Sequence, residues 1–431
     1  MTNMKLKVAA AVVLFAKTTP SSEASNNSNG NIFGHNETEH LFLRGAPIGN
    51  GDNRPIGGGR LEPKDPANDE DENGSDKKSR FERRRRKVLD FWTEGRLRKA
   101  KPRRMASVAG EDHHAIAMAG GDGAQDLAEA TVADERWSSG GAVLSAAGRL
   151  LFVMGNYEYV CSATAISDMT RGSKFRPRDA SFGGRMSMKR SLIITAAHCV
   201  YDDVANEFAS YFMFIPNQDD GGSDRSDGNC NNDKFGCWFP SFGVVDINWA
   251  AKKWPNNIPF DYAFLAVDNN DSHEGPSDVS EALERAVPRM RVTFNPPRTA
   301  RVNTAYGLGY SYKDDPEFHY CFQELQESPP SYGGYRLNGC ELSGGSSGGP
   351  WFKRLSPGGQ GEIISVNSYG PSSGPDYMGG PKLHSNSASC LFENAKTVRE
   401  SETSGNGIIV TYTGDCTTST YVSGDDFQDG N

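Results

Sequence analysis

The chain has 431 residues and a formal net charge of −9, with 36 % apolar residues against 48 glycines and 23 prolines. That length could hold two or three average domains, but the dilution of apolar residues fits one large domain with polar tails. No apolar run approaches the ~20 residues a bilayer span needs, which excludes a helical membrane protein.

Met1 to Ala24 reads as a secretory signal: Lys5 and Lys7, the apolar run Val8 to Ala16, then small residues near Ser22-Glu23-Ala24. The competing reading is a frayed amphipathic terminus. Residues 25 to about 76 are Gly-, Asn-, Asp- and Pro-rich without periodicity, the composition of a disordered segment. Sequons at Asn26, Asn36, Asn73 and Asn270 permit glycosylation on a secretory route. From Lys77 to Arg104 the net charge is +11; residues 1–76 carry −4, leaving −16 on residues 105–431. A basic leader ahead of an acidic body suits a propeptide (25–104) held by charge, with polybasic processing sites; a solvated basic tail fits equally. Nucleic-acid binding would also use a basic run, but a signal segment and eight cysteines point away from the nucleus.

After a linker, 105–147, ordered structure is expected from about Gly148. Arg149–Met154 and Tyr157–Ile166 read as paired strands around a turn at Gly155-Asn156. Asp168 to Lys189 is a polar insertion, and Ser191–Thr195 a buried strand. A second, acidic insertion runs from Gln218 to Gly236. Phe260 to Val267 is apolar on both faces except at Asp261. Further strands are expected at Ala300–Leu308, Trp351–Arg354 and Glu362–Val366. Ser387 to Val398 has a helical stripe of Leu391, Ala395 and Val398, followed by an acidic tail over 401–431. Many short strands with one late helix make an all-β double barrel.

The chemistry concentrates in three strings: Thr195-Ala196-Ala197-His198-Cys199, Asp261-Tyr262-Ala263-Phe264-Leu265 and Gly345-Ser346-Ser347-Gly348-Gly349-Pro350. A serine hydroxyl is a poor nucleophile unless a base takes its proton and a carboxylate orients that base. Glycines around Ser347 allow a sharp turn, and the N–H groups of Gly345 and Ser347 could form an oxyanion hole, each donor worth ~3–4 kcal/mol in the transition state.

These strings resemble the trypsin/chymotrypsin family of serine endopeptidases over roughly residues 148–400. The resemblance implies a fold of two six-stranded antiparallel β-barrels with the site between them. It implies His198, Asp261 and Ser347 as a catalytic triad, and a secreted enzyme acting on polypeptides. It also implies a Cys161–Cys199 disulfide tying down the histidine loop. Cys230 with Cys237 and Cys321 with Cys340 read as local pairs, leaving Cys390 with Cys416. Ser346 stands where the family usually has an aspartate, and no Ile-Val-Gly-Gly-like start precedes the domain, so activation by N-terminal insertion is not expected. Cys340–Trp351, Val366-Asn367-Ser368-Tyr369-Gly370 and Met378-Gly379-Gly380-Pro381 look more like the microbial trypsin-like and glutamyl-endopeptidase-like branch.

Substrate contacts are expected from Glu341, Ser365 and Asn367. Glu341, six residues before Ser347, matches a pocket-floor carboxylate that would favour Arg or Lys; it reads equally as a loop surface charge. The histidine of glutamate-specific relatives is absent from Ile364-Ser365-Val366. No cofactor, metal site, nucleic-acid partner or membrane span is expected; the partners are polypeptide substrates and the chain's own propeptide. A protease-like binding protein without turnover is the alternative reading. An esterase would place Gly-x-Ser-x-Gly earlier, with serine first in chain order.

Overall fold

The computed structural model describes residues 74–103, 106–108, 131–168, 190–218, 227–270, 272–299, 304–311, 317–330, 332–371, 376–398, 406–411 and 420–422. The signal segment, the polar stretch to residue 73, most of the Asp168–Lys189 insertion, Cys416 and most of the acidic tail lie outside the described residues.

Two curled sheets dominate the described residues, with a two-stranded ribbon of Tyr201–Asp202 and Glu207–Phe208 besides. The first orders its strands as His273–Glu274, Cys237–Trp238, Ser210–Pro216, Ala147–Met154, Tyr157–Ile166, Arg190–Thr195, Ala263–Asp268, Phe242–Asp246, Gly407–Thr411 and Thr420–Val422. The second runs Arg291–Val292, Gly361–Val366, Pro350–Leu355, Thr304–Tyr310, Phe318–Glu327, Tyr335–Asn338, Tyr377–Gly380, Tyr369–Pro371 and Ala106–Val108. The result is a chymotrypsin-like double β-barrel, with the expected C-terminal helix at Ala388–Thr397. The sheets hold eleven and ten strands, more than six each, because short strands from both ends of the chain extend them. Several of these additions pair in parallel, including Gly243–Asp246 with Gly407–Val410.

The hairpin Ala147–Met154/Tyr157–Ile166 forms in the expected register, Leu150 opposite Cys161 and Met154 opposite Tyr157. Its apolar run is continuous because both faces are covered. Leu150, Phe152 and Met154 face the first barrel's interior with Phe212, Phe214, Ile193 and Leu265. The alternate residues Leu151 and Val153, with Met213 and Ile215, point outward and meet Val88, Trp92, Leu97 and Ala100. Period-two alternation thus splits one strand between two cores. The second barrel's interior holds Cys321, Leu325, Leu337, Trp351 and Ile364. A fourth cluster joins the barrels, with Ile194 and Phe264 from one side, Leu308, Phe352 and Ile363 from the other, and Leu391, Phe392 and Ala395 from the helix.

Regular structure starts well before Gly148. Val132–Arg136 pairs with His319–Phe322 of the second sheet, and Gly141–Ala146 is a short helix. The basic segment forms a helix, Gly74–Phe91, and a turn of helix, Glu94–Leu97, packed on the first barrel through Trp92 and its neighbours. Several of its arginines are bonded to that barrel. Arg85 donates to the His273 carbonyl at 2.9 Å, and Arg96 pairs with Glu158 at 2.7 Å. Three disulfides close loops at Cys161–Cys199, Cys230–Cys237 and Cys321–Cys340. Cys390 is disulfide-bonded too. Among the described residues no helix is long and apolar enough to cross a membrane.

Candidate active site

The strand Arg190–Thr195 ends in a single 3-10 turn, Ala197–Cys199, that carries His198. Cys199 is tied to Cys161 in the neighbouring strand, so the turn is fixed at both sides. Asp261 does not begin a strand as expected. It follows the 3-10 turn Ile258–Phe260, which has Pro259 near its start, and the strand begins only at Ala263. Its backbone (φ −78, ψ 61) turns the carboxylate back toward the histidine.

His198 and Asp261 meet through two bonds. The His198 backbone N–H donates to Asp261 Oδ1 at 2.8 Å, and Nδ1 lies 2.8 Å from Oδ2. The Ser368 hydroxyl donates to the same Oδ2 at 2.5 Å. Asp261 is 1 % exposed and His198 6 %. A carboxylate this buried is tolerable only because its lone pairs are engaged. With Nδ1–H held by the carboxylate, Nε2 is left as the acceptor nitrogen.

Ser347 lies in a loop braced from both barrels. Its carbonyl accepts the Ser162 N–H at 2.7 Å, and the Ser162 hydroxyl donates to the Gly345 carbonyl at 3.0 Å. Ser162 adjoins Cys161, whose disulfide partner adjoins His198, so the serine loop and the histidine turn share one scaffold. Gly345 and Gly348 have φ of +97 and +80, a region costly for any residue with a Cβ. The N–H groups of Ser346, Gly348 and Gly349 are bonded to Ser343, Asn367 and Ser346 carbonyls; those of Gly345 and Ser347 enter no backbone hydrogen bond among the described residues. Among the described residues, two buried side-chain atoms of this site also lack hydrogen-bond partners: His198 Nε2 and Ser347 Oγ.

Of the three residues expected to touch substrate, one is exposed and two are buried. Glu341 is exposed, with its N–H donated to the Ala133 carbonyl. That exposure accords with the loop surface charge of the second reading. Ser365 is buried and donates to the Pro381 carbonyl at 2.8 Å. Asn367 is buried and spends its amide inside the protein. Its Nδ2 donates to the Leu308 and Ser346 carbonyls at 2.8 and 2.9 Å, and its Oδ1 accepts from Trp351 at 2.6 Å. Asn367, just past the strand Gly361–Val366, is thus a strut of the serine loop, while Ser365 ties that strand to Pro381. Ser368 and Ser162 were not singled out from sequence. Ser368 falls inside the quoted string Val366–Gly370, whereas nothing local marks Ser162.

Cys161, His198 and Cys199 bring ligand-type atoms within 4.8 Å of one another, but both sulfurs are consumed in the disulfide, leaving one imidazole and no ligand set.

The architecture is that of the trypsin/chymotrypsin-type serine proteases. No family model matches the chain, and no curated protein does. Among solved structures it is similar to the protease Anisep from Arthrobacter nicotinovorans, at 22 % identity and TM-score 0.44, over 61 % of this chain and 99 % of that one. It is similar to the thermostable serine protease AL20 from an extremophilic microorganism, at 25 % identity and TM-score 0.45, over 60 % and 100 %. A third is the scabies mite inactivated protease paralogue S-I1, at 14 % and TM-score 0.36, over 58 % and 93 %. All three scores fall below 0.5, so the assignment of architecture stands on this chain's own strand order.

Proposed function

We propose that the chain is a secreted serine endopeptidase using His198, Asp261 and Ser347. The observation that carries this reading is the pair of unpartnered buried atoms, His198 Nε2 and Ser347 Oγ, beside an imidazole whose other nitrogen is held by Asp261. A buried polar atom without a partner costs about 1–3 kcal/mol. One is on a base and the other on a hydroxyl, the two groups a proton-transfer step requires.

In this mechanism Ser347 Oγ attacks the substrate carbonyl as His198 Nε2 takes its proton, and Asp261 stabilises the imidazolium. The N–H groups of Gly345 and Ser347 receive the oxyanion. Nε2 then returns the proton to the leaving amine, and water, deprotonated by the same imidazole, releases the acyl group. The disulfides suit an oxidising compartment. Residues 1–24 would serve as the signal and 25–104 as a prosegment ahead of the protease domain.

Fluorophosphonate labelling tests the assignment. Ser347 should be modified in the parent and not in Ser347→Ala, and His198→Ala should lose nearly all peptide turnover, a loss of ~10⁶-fold in comparable chemistry. Equal turnover by Ser347→Ala would end the triad reading, whereas no labelling and no turnover in the parent would leave a fold used for binding.

A further inference from the structure

The strand Tyr369–Pro371 begins one residue after Ser368, whose hydroxyl holds Asp261. On one side it pairs with Tyr377–Gly380, Tyr369 opposite Gly379. Its other side would be an open edge next to the site, the kind of edge that binds extended peptides by strand addition. That side is taken by the chain itself: Ala106, Ser107 and Val108 lie opposite Tyr369, Gly370 and Pro371, in parallel. A second short strand, Lys101–Pro102, adds in parallel to Tyr159–Val160, immediately before Cys161 and Ser162. Pro102 also sits over the serine loop, since a Cβ placed on Gly344 would lie 3.1 Å from it.

We propose that Lys101–Pro102 and Ala106–Val108 are an autoinhibitory contact, occupying on both barrels the edges flanking Ser347 and His198 that an extended polypeptide needs. This rests on the protease reading given above. Five ladder residues alone would bind weakly, but they are tethered. The helix Gly74–Phe91 and the residues after it bury Val88, Trp92, Leu97 and Ala100 against the first barrel. Arg103 adds an ion pair to Asp202 at 3.5 Å and stacks over Tyr159, while its N–H donates to the Val160 carbonyl at 3.0 Å. Tethering makes occupation of the cleft intramolecular, so weak local contacts suffice. Four arginines of the basic segment, Arg84, Arg85, Arg96 and Arg103, are thereby engaged by this chain's own carbonyls and carboxylates. Arg103 and Arg104 lie in sequence between the two contacts, so scission there would detach the second strand from its tether.

The test uses the full chain. In a parallel ladder alternate residues donate, so either Ser107→Pro or the double variant Ala106→Pro/Val108→Pro must remove the donors facing Tyr369–Pro371. At least one should turn over a peptide substrate tenfold or more faster than the parent. Equal turnover by parent and both variants, with Ser347 labelled by fluorophosphonate in all three, overturns the inference and spares the protease reading. Absence of labelling in every form removes the protease reading and the inference with it. If the proline variants do not fold, hydrogen exchange on the parent decides. A peptidyl phosphonate bound at Ser347 should deprotect residues 106–108, and unchanged protection overturns the proposal.

Discussion

Asp261 receives three donors, from the His198 backbone, the His198 ring and Ser368. A hydrogen bond to a charged group is worth about 1.5–3 kcal/mol. Ser368→Ala therefore leaves the carboxylate less firmly held, and kcat/KM should fall roughly tenfold to a hundredfold on this scale, measured with a chromogenic peptide; Ser368→Thr should recover part of it. Asp233 behaves differently. Burial, aided by the charge of Asp227 and opposed by Arg149, pushes its carboxyl up to about 7. Its folded-state affinity for a proton exceeds that of the unfolded chain, so the stability it adds is complete below the ordinary carboxylate range and is lost as pH rises through 7. Asp233→Asn should flatten the fall in Tm between pH 4 and 7, a difference on the order of 1 to a few kcal/mol. Identical pH profiles for variant and parent would contradict this. At this scale the string around His198 was legible because its residues are contiguous. The roles of Ser365 and Asn367 were not, because whether an amide faces solvent or a neighbouring carbonyl is set by which strand lies behind it.

The serine loop owes its shape to the conformational freedom of glycine at Gly345 and Gly348. A Cβ on Gly348 would come within 2.1 Å of Thr195 Oγ1 and 2.4 Å of the Ser162 carbonyl. Thr195 is itself bonded to that carbonyl at 2.8 Å. Gly348→Ala thus adds a left-handed penalty of about 1–2 kcal/mol to a clash with backbone that cannot move aside. Labelling of Ser347 should slow more than a hundredfold, with a lower Tm; unchanged labelling would show that the loop adapts. Strands at Arg149–Met154, Tyr157–Ile166 and Glu362–Val366 form within two residues of expectation, since their apolar runs are bounded by turns. Asp261 departs from its expected strand because Pro259 and the turn before it set a different backbone path. The continuous apolar runs Leu150–Met154 and Phe212–Ile215 carried a further signal: each must be covered on both faces. The basic helix provides the second cover, although its composition reads as solvated.

The two barrels are joined chiefly by the apolar cluster of Ile194, Phe264, Leu308, Phe352 and Phe392, and the site lies where strands from both approach each other. The Cys161–Cys199 bond, closing a separation of 38 residues, anchors the histidine turn to the strand that also holds the serine loop. Loop-closure entropy puts its contribution at about 4 kcal/mol. Cys161→Ser/Cys199→Ser should lower stability by that order and slow labelling of Ser347, read by denaturant titration and fluorophosphonate kinetics; a variant as stable as the parent would refute the anchoring role. By itself the sequence determined the chemistry on offer (an imidazole, a carboxylate and a hydroxyl in glycine-rich or strand-end settings) and an all-β chain of short strands, because those properties reside in local strings. Only the tertiary structure decided that Ser368 and Ser162 complete the site, that Glu341 faces water, and that the basic segment packs on the first barrel and along the edges beside Ser347. Each of those depends on residues far apart in the chain sharing one small, water-poor volume, which no local pattern specifies.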